Sequence, residues 1–307
     1  MNETKSINSI DSLIAQLETV ILSKPTSVRL AVACLIANGH LLIEDLPGMG
    51  KTTLASAIAK LFDLSFNRIQ FTSDMLPSDV TGSNIYNPQA QNFKFHKGPV
   101  FCQLLLADEL NRATPKAQSA LLQAMEEHEV SIDGHTYQLD QPFFVIATQN
   151  PTEQSGTYLL PESQLDRFSI KISLGYPDEN AERKMLMGFG GRNNIDQLKA
   201  VIDHQLLSSI QQLVKKVDLS DAVLDYAQAL IKKTRDSDLC EVGLSPRGAM
   251  ALIQMSKAWA YMHKRDFVVP KDISSVFKAV CSHRLVLAHK QNMDALLDQI
   301  LNSVSAN

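Results

Sequence analysis

The sequence has few cysteines and no long hydrophobic run. The four cysteines are scattered, with no C-x-x-C pair and no histidine nearby at metal-ligand spacing: Cys34, Cys102, Cys240 and Cys281. Such residues are typical of small buried side chains in a reducing compartment. The richest apolar run, LAVACLIANGHLLI, is broken by polar residues before it reaches the length of a membrane span. The first residues, MNETKSINSI, lack the layout of a signal peptide. We therefore expect a cytoplasmic protein without membrane insertion.

The chain also lacks a surplus of positive charge. It carries 29 Lys and Arg against 33 Asp and Glu, which gives a formal net charge of -4. A protein with this balance has no global basic field to draw it to nucleic acid or anionic lipid. Its 307 residues, 45% of them hydrophobic, have the composition of a globular protein and the length for two domains.

The hydrophobic pattern changes near residue 176. Before that point helical periods alternate with short apolar runs, which are typical of strands buried on both faces of a parallel sheet. We predict helices over 7–22, 26–38, 52–62 and 114–128, strands over 40–45, 66–71, 100–109, 142–150 and 168–174, and a hairpin over 129–139. Later segments are helical by period: 178–188, 203–217, 221–235, 246–263, 270–281 and 292–303. The sequence thus predicts an α/β core over 1–176, with helices flanking a parallel sheet, and a smaller helical domain over 177–307.

A candidate phosphate-binding loop follows the first predicted strand. The stretch EDLPGMGKTT contains Gly-Lys-Thr, but Asp45 stands where the pattern G-x-x-x-x-G-K-[ST] has its first glycine. The loop lies between a strand and a helix, where backbone amides and a helix N-terminus can bind phosphate. Lys51 is placed to reach the β- and γ-phosphates and the Thr52 hydroxyl to bind Mg²⁺, while the Asp45 side chain can point away from the anion. The residues expected to bind the nucleotide are Pro47, Gly48, Met49, Gly50, Lys51, Thr52 and Thr53.

Polar residues also end two later apolar strands. LLLADE places Asp108 and Glu109 at the exit of a buried strand, where carboxylates are costly unless they have a function. In an ATPase the first carboxylate holds Mg²⁺ and the second polarises the attacking water. PFFVIATQN ends at Asn150, whose amide can orient that water, although Asn150-Pro151 alone also suits a turn. Ligands bind at the carboxyl ends of strands in doubly wound sheets, so the three strand ends together predict binding and hydrolysis of ATP with Mg²⁺.

Five stretches of the sequence resemble the MoxR family of AAA+ ATPases, over nearly the full length of the chain. They are GHLLIEDLPGMGKTTLA, FTSDMLPSDVTG, GPVFCQLLLADELNRATPKAQSALLQAMEE, FFVIATQNPTEQSGTYLLPESQLDRF and GLSPRGAMAL. The resemblance implies an AAA+ core with a helical lid. It also implies an insert in the second core helix at about 80–98 and a hairpin at about 129–139 before the first sensor strand.

The resemblance further implies roles for two arginines. Arg167 in QLDRF matches the arginine finger, which in this superfamily reaches the nucleotide of the neighbouring subunit. Arg247 in LSPRG matches the second sensor on the lid. By pattern alone, Arg167 could pair with Asp166 or a surface acid, and Arg247 could cap its own helix. Arg112 is a rival for a phosphate or intersubunit role. The glycine that the family usually carries near Ser23 is absent, so the residues that contact adenine stay unassigned.

The function implied by the resemblance is a homo-oligomeric ring, expected to be a hexamer, that remodels or matures partner proteins with the energy of ATP hydrolysis. MoxR relatives typically act with proteins that carry a von Willebrand factor A domain, often in metal or cofactor insertion. Two alternatives are a DNA-associated motor and a nucleotide-gated scaffold without turnover. The hairpin segment HEVSIDGHTYQLD has no Lys or Arg, and Lys94 and Lys97 of the insert are too few to track phosphates, so nucleic acid is not expected as a partner. Glu109 argues against the scaffold, because a protein without hydrolysis needs no base.

Overall fold

The structure, a computed structural model, describes residues 3–151, 157–236, 238–289 and 291–305. Residues 152–156, which belong to one of the motifs quoted above, lie outside the described residues. The helices are α1 (Glu3–Val20), α2 (Pro25–Ile36), α3 (Lys51–Leu61), α4 (Pro77–Thr81), α5 (Pro115–Glu127), α6 (Glu162–Leu165), α7 (Glu179–Leu186), α8 (His204–Lys215), α9 (Asp221–Thr234), α10 (Pro246–Met262), α11 (Pro270–Cys281) and α12 (Met293–Ser303). Short 3₁₀ turns cover Leu110–Arg112 and Arg192–Gln197.

The strands are β1 (Leu41–Glu44), β2 (Phe66–Gln70), β3 (Gly82–Asn87), β4 (Asn92–Lys97), β5 (Leu104–Asp108), β6 (Glu129–Ile132), β7 (His135–Gln138), β8 (Phe144–Gln149), β9 (Ile170–Ile172), β10 (Cys240–Val242) and β11 (Val286–Leu287). Five of them form a central sheet in the order β2-β5-β8-β1-β9, and every neighbouring pair is parallel. Parallel strands share one direction, so the sheet has a carboxyl end, where all five strands finish, and an amino end, where all five begin.

Alternate residues of the central strands face two hydrophobic layers. In β1, Leu41 and Ile43 pack into one layer and Leu42 into the other, and all three are fully buried. The first layer contains residues of α1, α2 and α3 and continues into the helices of the C-terminal half. The second contains residues of α4, α5 and β6. The burial of both faces explains why these strands read as continuous apolar runs in the sequence.

The observed elements confirm the predicted α/β core followed by helices, with shifts at the element ends. The helix predicted over 7–22 spans Glu3–Val20, and the strand predicted over 100–109 spans only Leu104–Asp108. The strand is shorter because residues 99–103 form a turn and a bend. The C-terminal half also contains a small antiparallel ribbon of β10 and β11, which the sequence did not predict. Its strands have three and two residues, too few for a hydrophobic period to be visible.

Two antiparallel hairpins lie beside the sheet. The segment that resembled an insert forms the β3–β4 hairpin, and the β6–β7 hairpin turns at Asp133 and Gly134, whose φ angles are 51° and 80°. Phe95 stacks on Tyr137 with ring centroids 4.1 Å apart, and Asn84 donates a hydrogen bond to Asp133 at 2.7 Å. The two hairpins therefore contact each other.

The described helices include none that is long and apolar enough to cross a membrane. All four cysteines are free and buried, as their scattered positions predicted.

Candidate active site

The loop between β1 and α3 has the backbone of a phosphate-binding loop. Gly48 and Gly50 have φ angles of 84° and 88°, in the left-handed region that glycine adopts without strain. A Cβ atom at either position would have no heavy atom within 4 Å, so the requirement for glycine is conformational. Helix α3 begins directly after Gly50, and its first amide groups face the loop, which favours an anion there.

The carboxylate of Asp45 binds the chain that follows β9. It accepts a short hydrogen bond from the amide of Leu174 and one of 3.0 Å from the amide of Gly175. The carbonyl oxygen of Asp45 accepts a hydrogen bond from Lys51 Nζ at 2.6 Å. Lys51 is 9% exposed and Asp45 is 7% exposed. The carboxylate that replaces the first glycine of the pattern is thus directed at the chain beyond β9, as the sequence analysis expected.

A cavity of about 270 Å³ opens beside the phosphate loop. On the loop side it is lined by Gly48, Met49, Gly50 and Thr53. The rest of its lining is Val20, Ile21, Leu22, Lys24, Gly175, Pro177, Met185 and Gly191. Of the other predicted loop residues, Pro47 is exposed in the turn and Thr52 is half-buried in the first turn of α3. Ser23 lies between the lining residues Leu22 and Lys24. Its φ angle is 58°, a conformation that glycine adopts easily.

The apolar residues of this wall were not assigned from the sequence. They come from the α1–α2 junction and from the chain after β9. Together with the phosphate loop, three segments that are distant in sequence meet at one cavity. A cavity with apolar walls next to a phosphate loop has the shape and chemistry to hold a nucleotide base.

Asp108 lies at the carboxyl end of β5 and is 8% exposed. Its Oδ1 accepts a hydrogen bond from the Thr148 hydroxyl at 2.6 Å, and its Oδ2 accepts one from Arg68 at 2.8 Å. The Thr148 hydroxyl in turn accepts a hydrogen bond from the amide of Glu109 at 2.9 Å. These contacts fix the Asp108 carboxylate and the backbone of Glu109.

Thr148 and Arg68 were not predicted as site residues from the sequence. Thr148 was detectable as a polar residue inside the apolar run PFFVIATQN, in the strand next to β5. Arg68 was not, because a charged residue on the outermost strand β2 is expected at a surface.

Glu109 has an unusual backbone and a basic partner. Its φ and ψ angles are 55° and 47°, a left-handed conformation that is uncommon for residues other than glycine and often marks a functional position. Its side chain forms an ion pair with Arg112 at 3.0 Å. Asn150 follows β8, is 5% exposed, and its carbonyl oxygen accepts a hydrogen bond from Asn111 at 3.4 Å. The predicted base and the predicted water-orienting amide therefore both lie at the carboxyl end of the sheet.

The oxygen atoms of Thr52 and Asp108 are of the type that Mg²⁺ prefers. Within the described residues no group of three His, Cys, Asp or Glu could hold a metal ion. Two protein oxygens with phosphate and water as the other ligands is the usual arrangement for Mg²⁺ bound with a nucleotide. The donor set fits that arrangement.

Arg167 and Arg247 lie at the amino end of the sheet. Arg167 precedes β9, whose first residue Ile170 pairs with Leu41, the first residue of β1. Both arginines form short ion pairs with the same carboxylate, that of Glu126 near the end of α5. The Arg167 guanidinium also donates to the carbonyl oxygen of Leu122 at 2.7 Å. Of the pairings weighed for Arg167, the one with a surface acid is present, because Asp166 pairs with Arg284 instead.

The end of α5 is fixed to the start of β1 by a buried histidine. The amide of Val145 donates to His40 Nδ1 at 3.1 Å, so Nε2 carries the hydrogen and donates to the carbonyl oxygen of Met125 at 3.2 Å. Burial lowers the pKa of His40 to about 4, which keeps the ring neutral. His40 directly precedes β1, so this contact places the neighbouring Glu126 at the amino end.

Comparison with known families identifies the class of protein. The model of the ATPase family associated with various cellular activities (AAA) matches residues 40–170, and the AAA lid domain matches residues 232–303. The first match contains the phosphate loop and both strand ends described above. The second contains Arg247 and α10 to α12. The fold and the site thus define an AAA ATPase with a lid.

Individual relatives narrow the class. The chain is 42% identical to YeaC of Bacillus subtilis, an uncharacterised protein, over 95% of this chain and 92% of that one. It is 35% identical to Chaperone MoxR1 of Mycobacterium tuberculosis, over 98% and 81%. A crystal structure of a candidate ATPase from Cytophaga hutchinsonii superposes with a TM-score of 0.89 at 36% identity, over 99% and 96% of the two chains. The chain belongs to the MoxR family of AAA+ ATPases, as its motifs predicted, and it binds and hydrolyses ATP.

Proposed function

We propose that this protein hydrolyses ATP with Mg²⁺ at the interfaces between copies of itself, in a ring that is expected to be a hexamer. The observation that carries the proposal is the separation of the site into two ends of one sheet. Lys51 lies beyond the carboxyl end of β1, while Arg167 and Arg247 lie at the amino end. The four-residue strand alone spans roughly 13 Å at about 3.3 Å per residue. A complete site therefore needs the carboxyl end of one chain and the amino end of another.

The carboxyl end supplies nucleotide binding and the attack by water. Lys51 and the amides of the loop would hold the β- and γ-phosphates. Thr52 and Asp108 would hold Mg²⁺, which would supply positive charge to the phosphates. Glu109 accepts a proton from the attacking water, and Asn150 orients that water by a hydrogen bond. The ion pair between Glu109 and Arg112 has to open for this step, so Arg112 holds the base in the chain without nucleotide.

The amino end supplies positive charge to the neighbour. Arg167 is the finger and Arg247 the second sensor, and both reach the same carboxylate, Glu126. The guanidinium of Arg167 is held by Glu126 and Leu122 of its own chain, so it has to exchange these contacts for the neighbouring nucleotide. The core is proposed to end and the lid to begin near residue 176, next to Gly175 with its positive φ of 61°.

The test mixes two inactive variants. Arg167→Ala keeps its phosphate loop and should lose about 10³–10⁵ in turnover, the usual contribution of such an arginine. Lys51→Ala has no working loop but keeps its finger. Mixed under conditions of subunit exchange, the two should recover ATPase activity, because a mixed interface joins one intact loop to one intact finger.

The matched control for this test is the double variant Lys51→Ala/Arg167→Ala, which offers neither part. Mixed with Arg167→Ala it should recover nothing. Light scattering confirms assembly in each mixture. Absence of recovery at every ratio, with a wild-type rate per chain that does not depend on concentration, would contradict both the ring and the shared site.

The energy of hydrolysis is proposed to remodel or mature a partner protein in the cytoplasm, as a chaperone does. The name of the Mycobacterium tuberculosis relative, a chaperone, supports this role. The partner expected for a MoxR-family ATPase carries a von Willebrand factor A domain, and metal or cofactor insertion is the expected outcome. The four free, buried cysteines support a reducing compartment.

The contacts of the hairpins favour a protein partner over DNA. Lys97 Nζ lies 5.0 Å above the ring of Phe101, where it is engaged with an aromatic side chain. On the same hairpin Tyr86 and Phe93 are 50% and 70% exposed, and their rings are 5.3 Å apart. An exposed aromatic pair suits an apolar segment of polypeptide better than a phosphate backbone.

A trapping experiment tests the partner. Glu109→Gln, loaded with ATP in an extract of the source organism, should retain a von Willebrand factor A domain protein. Lys51→Ala, which cannot load ATP, is the control and should not retain it. Retention of nucleic acid in place of a protein would favour the DNA motor.

A further inference from the structure

Arg284 is a buried arginine that joins the lid region to the segment carrying Arg167. It is only 4% exposed. Its Nε donates to Asp166 Oδ1 at 2.7 Å. Its terminal nitrogens donate to the carbonyl oxygens of Asp166 at 3.2 Å, of Ser169 at 2.9 Å, and of Phe168 in a short contact. One side chain from the C-terminal half thus binds the backbone on both sides of Arg167.

The same arginine lies against the helix that carries Arg247. Asp166 Oδ2 accepts a hydrogen bond from the Ser245 hydroxyl at 2.7 Å. That hydroxyl also caps α10 by accepting from the amide of Gly248 at 2.9 Å. A Cβ atom on Gly248 would lie 2.9 Å from Cδ of Arg284, closer than real Cβ atoms come. The glycine of the LSPRG motif therefore leaves room for Arg284 to pass over the first turn of α10.

We propose that Arg284 is a positioning residue, which fixes Arg167 and the first turn of α10 in one arrangement from which Arg167 and Arg247 reach the neighbouring nucleotide. The inference rests on the proposed function, because it requires that the two arginines act across an interface. Arg284 acts through Arg167 and itself touches no substrate.

The contact depends on a guanidinium. Arginine presents five N–H donors in a planar fork, whereas lysine presents one compact ammonium group. Burial lowers the pKa of Arg284, and the hydrogen bond to Asp166 opposes that effect. A lysine at this position would keep the charge near Asp166 but leave the carbonyl oxygens of Asp166 and Ser169 without the donors that Arg284 supplies. Arg284→Lys is therefore a mild change that loosens the segment of Arg167.

The experiment adds Arg284→Lys to one or the other of the two variants that are mixed in the test above, Lys51→Ala and Arg167→Ala. The Lys51→Ala chain supplies the arginines, and the Arg167→Ala chain supplies the nucleotide site. In the Lys51→Ala chain the substitution should lower the recovered ATPase rate by about 10²-fold, the effect of a misplacement of about 1 Å. In the Arg167→Ala chain it should leave the recovered rate unchanged, because the arginines of that chain do not serve the active interface.

Two further variants make the comparison independent of folding defects. Asp166→Asn removes the charge that pairs with Arg284, keeps the side-chain size, and should show the same dependence on placement. Arg265→Lys is the matched control, because Arg265 forms a similar pair with Asp272, two bonds of 2.6 Å, inside the lid region. It should lower the melting temperature without any dependence on placement.

The outcomes separate this inference from the proposed function. The positioning role is overturned if Arg284→Lys and Asp166→Asn lower the recovered ATPase rate equally in the Lys51→Ala chain and in the Arg167→Ala chain, or in neither. The shared site would still stand in that case. If the parent pair without these substitutions recovers no activity at any ratio, the proposed function is overturned and this inference with it.

Discussion

The two ends of the central sheet are built in different ways. At the carboxyl end, contacts join neighbours: Lys51 binds the carbonyl oxygen of Asp45, and Thr148 of β8 binds Asp108 of the adjacent β5. At the amino end, Glu126 of α5 receives one arginine from the chain before β9 and another from the C-terminal half. At the carboxyl end, the phosphate loop and the two polar strand ends follow from local turns after parallel strands, whereas the arginines of the amino end require the C-terminal helices to be packed on the sheet.

This difference separates two tasks of one chain, which are to bind a nucleotide and to present arginines. A defect at the carboxyl end should stay within the chain that carries it. A defect at the amino end should be repairable by another chain, as in the mixing experiment above. Three substitutions at the carboxyl end and one on the β3–β4 hairpin, ordered by expected size, test this separation.

The largest effect is expected from Lys51→Ala. It should abolish measurable ATP binding, because the β- and γ-phosphates lose the cation of the loop and truncating one partner of a buried charge contact costs about 2–5 kcal/mol or more. Calorimetric titration with ATP measures it. Lys60→Ala is the control, since Lys60 lies on the same helix but contacts the carbonyl oxygen of Asp196. Wild-type affinity in Lys51→Ala would mean that the loop amides alone hold the phosphates.

Glu109→Gln should keep ATP affinity and lose about 10²–10⁴ in turnover, the range that a general base contributes. The amide keeps the size of the side chain and loses the proton acceptor. Steady-state ATPase assays and nucleotide titration, done on one preparation, separate the two effects. Glu127→Gln, a change at an exposed glutamate of α5, should behave as wild type. Normal turnover in Glu109→Gln would assign the base to another residue.

Asn150→Ala should lower turnover by roughly tenfold and leave ATP affinity unchanged, because one orienting hydrogen bond of about 1.4 kcal/mol is lost. The same two assays apply. A fall in turnover as large as that of Glu109→Gln would give Asn150 a larger role than orientation of the water. A fall in ATP affinity would indicate that Asn150 contacts the phosphates.

No change is expected from Lys94→Ala/Lys97→Ala. Both lysines lie on the β3–β4 hairpin, which forms a two-stranded sheet of its own. DNA should stimulate neither the wild-type ATPase nor the double variant. Salt-sensitive stimulation of the wild type that disappears in the variant would introduce a third functional region, and with it the DNA motor.

Most of the fold was predictable because its elements carry local signals. The hairpin turn at Asp133 and Gly134 and the helices of the C-terminal half follow from turn chemistry and hydrophobic period. The β10–β11 ribbon was not predictable, since its two short strands pair across two intervening helices, α10 and α11. The β3–β4 hairpin was expected only as an insert, because Ile85 and Tyr86 are adjacent in β3 and leave that strand without an alternating pattern.

The residues of the site also differ in whether a local sequence signal reveals them. Lys51, Asp108, Glu109 and Asn150 were found because each follows an apolar strand in the sequence. Arg284 was missed, since an arginine after a helix reads as a surface residue until the fold brings residues 166–169 against it. Long-range contacts of this kind depend on tertiary packing, which no local pattern contains.

Asp45 shows how a departure from a motif can be part of the fold. A pattern treats this residue as an error, and a designer correcting the sequence would write glycine. That change would improve the match and remove the acceptor of the amides of Leu174 and Gly175, at a cost of about 1–3 kcal/mol for each buried donor left unpaired. Because those amides lie directly after β9, the corrected loop would lose its attachment to the segment that leads into the C-terminal half of the chain.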